Sequence, residues 1–112
     1  MQYRQITEDY AVSPQITVED VKLVKEAGFK SVICNRPDNE DPGQPTAEEI
    51  REAVEAAGLV FRWVPVISGQ MTPRNVEDQA SALDEIPAPV LAYCRSGTRC
   101  TNLLAGIQQT RN

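Results

Sequence analysis

Histidine is absent from this sequence. That excludes Ser-His-Asp and Cys-His catalysis and removes the commonest transition-metal ligand. Cysteine is scarce, with three residues: Cys34, Cys94 and Cys100. An odd number fits a secreted disulfide framework poorly. Zinc takes four ligands, or three and a water, at Cys-x-x-Cys-type spacing. Cys94 and Cys100 stand six apart with no imidazole to complete a set, so no metal or other cofactor is expected. No apolar run approaches the roughly 20 residues that cross a bilayer. The opening MQYRQITEDY lacks the apolar stretch of a secretory signal, so the expected location is the cytoplasm. Runs of Lys and Arg are missing too, and the net charge is −5. Nucleic acid and anionic membrane surfaces are therefore disfavoured as partners. A small anion would have to be drawn in by a local pocket and not by the field of the whole molecule.

What is present is ordinary globular composition, 41% hydrophobic and 24% charged over 112 residues. That length suits one core, so residues 1–112 are read as one domain. Strand and helix signals alternate. QYRQI and YAVS are short strands around a TED turn. ITVEDVKLVKEAGF reads as a helix capped by Thr17 with Asp20 three residues on, stopped at Gly28, with Val18, Val21, Leu23 and Val24 as a partial apolar stripe. Ser31–Cys34 is a buried strand. RPDNEDPGQP is a loop by its three prolines and three acids. TAEEIREAVEAAGL carries a capping box, Thr46 with Glu49, and a stop at Gly58. LVFRWVPV is a strand, ISGQM a loop, and TPRNVEDQASALDEI a helix capped by Thr72 with Pro73 at its first position. APVLAYC is the last strand and TNLLAGIQQT the last helix. The order predicts an α/β fold with a central, mostly parallel sheet flanked by helices. In such sheets the site lies beyond the carboxyl ends of the strands, where Cys34 and Cys94 fall.

The segment YCRSGTRC, residues 93–100, joins that last strand to that last helix. Such a loop turns successive backbone N–H groups inward to form an anion nest, to which the helix N-terminus adds its dipole. A cysteine at its lip has a stabilised thiolate and becomes a nucleophile near neutral pH. Cys94 occupies that place. Gly97 permits the twist that closes the cradle, Arg99 supplies a rigid fork of donors for an oxyanion, and Ser96 and Thr98 add hydroxyls. Arg95 reads as an outer-rim charge, or as solvated surface.

RPDNEDPGQPT followed by LAYCRSGTRC, with the AVSPQ lead-in, VICNRPD and VPV, resembles the beta-lactamase hydrolase-like, phosphatase-like domain family over nearly the whole chain. The resemblance implies a fold similar to dual-specificity phosphatases, carrying a rhodanese-like loop. It implies catalysis by Cys94 and Arg99, with the anion held by residues 95–98 and Cys100. Members occur alone or fused to persulfide dioxygenase-like or sulfide-oxidising enzymes, so a sulfide- or persulfide-oxidising partner is an expectation. Protein tyrosine phosphatases resemble one another in His-Cys-x5-Arg. Here Tyr93 replaces the histidine, and the spacing Cys94 to Arg99 is Cys-x4-Arg, as in rhodanese loops. Phosphate esters with alkoxide leaving groups need a general acid. Related phosphatases place it after an IPV-like strand end, where this chain has ISGQM. Asp38, Glu40 or Asp41 could substitute, although acids clustered in a Pro-rich turn read as solvated surface.

Sulfur transfer is accordingly the first expectation, with a persulfide on Cys94 formed from thiosulfate or another persulfide donor. A phosphatase acting on a phosphate ester through phosphocysteine is the alternative, and a non-catalytic sensor or partner module the third. Cys100 stands where similar loops carry a serine or threonine facing the nucleophile. It is a candidate hydrogen-bond donor or resolving thiol for Cys94, with Cys34 as a competing partner, and both are equally readable as inert packing.

Overall fold

A computed structural model of the chain describes residues 1–111. Five strands form one sheet in the order β1-β2-β5-β3-β4. They are β1 (Arg4–Thr7), β2 (Tyr10–Ser13), β3 (Ser31–Cys34), β4 (Val60–Trp63) and β5 (Val90–Tyr93). β1 is an antiparallel edge strand, and the other four run parallel. The parallel strands are linked by α1 (Asp20–Glu26), α2 (Ala47–Ala56) and α3 (Pro73–Glu85), while α4 (Thr98–Thr110) follows β5. This is the expected α/β architecture, with one compact body around one sheet.

The three central strands, β2, β5 and β3, are buried at every residue, as strands covered on both faces must be. Alternate side chains serve two cores. Val32, Cys34, Leu91 and Tyr93 pack with Val21 and Val24 of α1 and Ile50 and Val54 of α2. Ile33, Val90, Ala92 and Cys94 pack with Ala82 of α3 and Cys100 and Leu104 of α4. The capping boxes at Thr46/Glu49 and Thr72/Asn75 both form.

α1 departs from expectation. Thr17 and Asp20 do exchange the two hydrogen bonds of a capping pair, at 2.9 and 3.2 Å. Regular helix begins only at Asp20, however, and Val18 and Leu23 are exposed. A seven-residue helix presents two turns to the sheet, and Val21 and Val24 suffice to cover its share of the core. Among the described residues, no helix is long and apolar enough to cross a membrane.

Candidate active site

β5 lies at the centre of the sheet, so its carboxyl end opens between two neighbours. The Cys94 N–H donates to the Ser13 carbonyl of β2 at 3.3 Å, and the Tyr93 carbonyl accepts from Asn35 N–H beyond β3 at 2.8 Å. The chain then turns sharply. Gly97 takes φ +93°, a left-handed conformation that costs an L side chain about 1–2 kcal/mol. The reversal is so tight that α4 starts at Thr98 and not at the expected Thr101, which places Arg99 and Cys100 in its first turn. Gly97 N–H donates to the Cys94 sulfur at 3.1 Å. The thiol of Cys100 is the strongest influence holding the Cys94 pKa down, to about 5; the N–H groups of Cys100, Ser96 and Gly97 add to it, and burial opposes them. Ser96 and Thr98, expected to face an anion, are exposed, and their hydroxyls bond each other at 3.1 Å.

Arg99 is almost wholly buried. Its Nη1 and Nη2 grip both carboxylate oxygens of Glu40 at 2.7 and 2.8 Å, and Nη1 also donates to the Val66 carbonyl at 2.8 Å. Three of its five N–H donors are thus engaged. The Nε–H and one Nη2–H have no partner among the described residues and remain for an anion. The acids of the Pro-rich loop are not the solvated cluster the composition suggested. Glu40 also accepts from Nε of buried Arg36 at 2.8 Å, and these arginines hold its carboxyl below the ordinary range. Asp41 accepts from Arg36 at 2.6 Å and pairs with Arg95 at 3.2 Å. Asp38 accepts from the Ala47 N–H at 2.8 Å, satisfying an orphan donor of the first turn of α2. Arg36 draws the loop inward because a guanidinium this buried must be matched by several acceptors.

The three cysteines differ in setting. Cys94 and Cys100 share the α3/α4 core, whereas Cys34 belongs to the α1/α2 core across the sheet. Burial raises the Cys34 thiol, although the Tyr93 hydroxyl bonds it. Burial also raises Cys100 well above the usual range. Of the three thiols, Cys94 alone is held in its anionic form at neutral pH.

Sequence reasoning missed a buried polar chain behind the loop. The Asn35 and Gln79 amides exchange two bonds at 2.8 and 3.0 Å, Gln79 donates to the Tyr10 hydroxyl at 3.2 Å, and Tyr10 donates to the Cys100 carbonyl at 2.7 Å. Its signal was available. Gln79 stands three and seven residues before Ala82 and Ile86, on the apolar face of α3.

A cleft of about 690 Å³ covers the loop, walled by Val66, Ile67, Ser68 and Met71 on one side and by Arg95, Ser96 and Arg99 on the other. Cys94 lies beneath it, fully covered. A larger groove, about 910 Å³, separates α3 from α4 and contains no residue of the cysteine loop.

Residues 2–111 match the family described as beta-lactamase hydrolase-like protein, phosphatase-like domain. A beta-lactamase hydrolase-like protein of Agrobacterium fabrum is 34% identical over 98 residues, covering 88% of this chain and 23% of that protein. One from Xylella fastidiosa is 34% identical over 100 residues, with 89% and 23% covered. The chain thus spans about a quarter of the length of these relatives. Among solved structures, a candidate phosphatase from Neisseria meningitidis superposes with a TM-score of 0.84 at 37% identity, over 90% of this chain and 72% of that one. The catalytic core of a PP-IP phosphatase from S. cerevisiae shares the fold, with a TM-score of 0.73 at 15% identity over 96% of this chain and 64% of that one. With these likenesses, and with the match extending from the first strand to the end of α4, the chain belongs to the beta-lactamase hydrolase-like, phosphatase-like domain family.

Proposed function

We propose that this protein is a cysteine-dependent phosphatase. The observation that carries the reading is the Cys94 sulfur, which accepts from the Gly97 N–H at 3.1 Å at the foot of a helix N-terminus. A phosphoryl group seated on the loop meets backbone N–H groups, the positive end of α4 and the free edge of Arg99. The thiolate attacks phosphorus, the bond to the leaving oxygen breaks, and a phosphocysteine forms on Cys94. Water then attacks phosphorus, the P–S bond breaks, and its electron pair returns to the sulfur. The proton lost by the water passes to a phosphate oxygen or to solvent. Family membership and the 37%-identical candidate phosphatase favour this reading over sulfur transfer, which the loop spacing and the missing general acid had ranked first.

Sulfur transfer stands as the second reading on one observation: the wall of the cleft from Val66 to Met71 contains no carboxylate, and expulsion of sulfite from thiosulfate needs none. In that reading Cys94 would carry a persulfide, and a sulfide- or persulfide-oxidising protein would be a natural partner. The test runs both assays on one preparation with Cys94→Ser and Arg99→Ala beside the wild type. Phosphate release from p-nitrophenyl phosphate that both variants abolish supports the phosphatase. Thiosulfate turnover without phosphate release supports the alternative.

A further inference from the structure

A phosphatase site that cleaves alkyl esters needs an acid to protonate the departing oxygen, an effect worth about 10²- to 10⁴-fold. None of the acids beside this loop is available for that task. Glu40 has both oxygens on Arg99 and a third bond from Arg36, and is held ionised. One oxygen of Asp41 serves both Arg36 and Arg95. Asp38 caps α2. The residues lining the facing wall, Val66, Ile67, Ser68, Gly69 and Met71, offer only apolar groups, a hydroxyl and backbone.

Guanidinium donors without a partner among the described residues, by contrast, are present at the cleft. Arg95 lines it with a side chain 69% exposed, and it meets Asp41 through Nε alone. Its two terminal nitrogens have no partner among the described residues. They sit on the same loop as Cys94, at the rim, where the part of a substrate beyond the reacting phosphoryl group would lie.

We propose, building on the phosphatase reading, that the site takes phosphoric anhydrides, with Arg95 holding the leaving phosphate. The Cys94 thiolate attacks the terminal phosphorus and the P–O bond to the bridging oxygen breaks. That oxygen departs with its electron pair as a phosphate anion and takes up no proton in the step. The difference in leaving ability is large. An alkoxide has a conjugate acid near the pKa of water, about 15.7, against about 6 for a phosphate monoester. The site therefore supplies what an anhydride needs, a cation for the departing charge, and lacks what an alkyl ester needs, a proton.

The protein is assayed in chelator-treated buffer with adenosine diphosphate, p-nitrophenyl phosphate, phenyl phosphate and glycerol 3-phosphate, with Cys94→Ser as control. The anhydride should exceed glycerol 3-phosphate in kcat/KM by at least ~100-fold. Across aryl esters, kcat/KM should fall more than about tenfold as the phenol pKa rises from about 7 to about 10, because the leaving oxygen goes unprotonated. Arg95→Ala should lower kcat/KM for the diphosphate about tenfold more than for p-nitrophenyl phosphate. Glycerol 3-phosphate turned over within about tenfold of the diphosphate, a flat aryl series, or equal loss on both substrates in Arg95→Ala would overturn this inference and leave the phosphatase intact. Phosphate release from no substrate, or release that Cys94→Ser leaves unchanged, would overturn the phosphatase reading itself.

Discussion

Glu40 and Arg99, 59 residues apart in the chain, meet through two parallel hydrogen bonds of 2.7 and 2.8 Å. This pair ties the Pro-rich loop to the first turn of α4 and fixes which edge of the guanidinium faces the cleft. Arg36, buried behind it, locks the same carboxylate from the other side at 2.8 Å. Removal of Glu40 would therefore leave two buried cations without their shared partner.

Glu40→Ala is expected to lower unfolding stability by about 2–4 kcal/mol, because breaking a buried pair costs far more than the pair's net worth. Chemical denaturation reads this directly. Phosphate release should fall at least ~100-fold, since Arg99 would lose its orientation. Glu40→Gln, which keeps the shape and some acceptor capacity, should fall between the two. A variant as stable and as active as the wild type would show that the pair is incidental.

The architecture was legible in the sequence because its signals are local. Thr46 with Glu49, Thr72 with Pro73, and the all-apolar strands each announce themselves within a few residues, and each appears where expected. Cys94, Gly97 and Arg99 were legible for the same reason, being one contiguous loop. The role of Glu40 was not, because composition marks an acid in a Pro-rich turn as solvated. Only the fold shows Arg36 and Arg99 beside it. The start of α4 was misplaced because the turn at Gly97 takes fewer residues than a typical strand–helix connection.

Alkylation of Cys94 by iodoacetamide should follow a titration midpoint of about 5, against about 8.5 for a free cysteine. Cys34 and Cys100, both raised by burial, should stay unlabelled until the protein unfolds. Rate measurement between pH 4 and about 9, with peptide mapping, settles it. A midpoint near that of a free thiol would mean that the cradle does not stabilise the anion.

The same depressed pKa predicts a pH-dependent stability. Between about 5 and the free-cysteine value of about 8.5 the unfolded chain binds a proton at Cys94 that the folded protein does not. Folding is therefore favoured as pH rises through that window, and the contribution is lost as pH falls through about 5. The stability advantage of wild type over Cys94→Ser should grow with pH from about 5 to about 9. Denaturation curves of both proteins at several pH values test this, and a constant difference would contradict it.

Gly97→Ala tests the turn. The position holds φ +93°, and an added Cβ would meet only ordinary contacts at 3.6 Å from Ser13. Backbone strain alone should then cost about 1–2 kcal/mol. Because relief of that strain moves the N–H group away from the sulfur, the thiolate midpoint should also rise. A loss of stability with the midpoint unchanged would place the amide outside the cradle.

Tyr10→Phe removes the hydroxyl that Gln79 bonds at 3.2 Å and that donates to the Cys100 carbonyl at 2.7 Å. Stability should fall by about 1–2 kcal/mol, with one Gln79 donor left buried and unpaired. A thermal melt identical to that of the wild type would show that the chain of buried amides does not brace α4.

The central claim is that Cys94 carries a phosphoryl group during turnover. It is tested most directly by mixing the protein with p-nitrophenyl phosphate, quenching with acid within milliseconds, and mapping the adduct by mass. The account predicts one phosphoryl group on the peptide containing Cys94, formed as a burst of p-nitrophenol matching the enzyme concentration, and absent in Cys94→Ser. A peptide that stays unmodified by the phosphate ester but gains one sulfur atom from thiosulfate would contradict it.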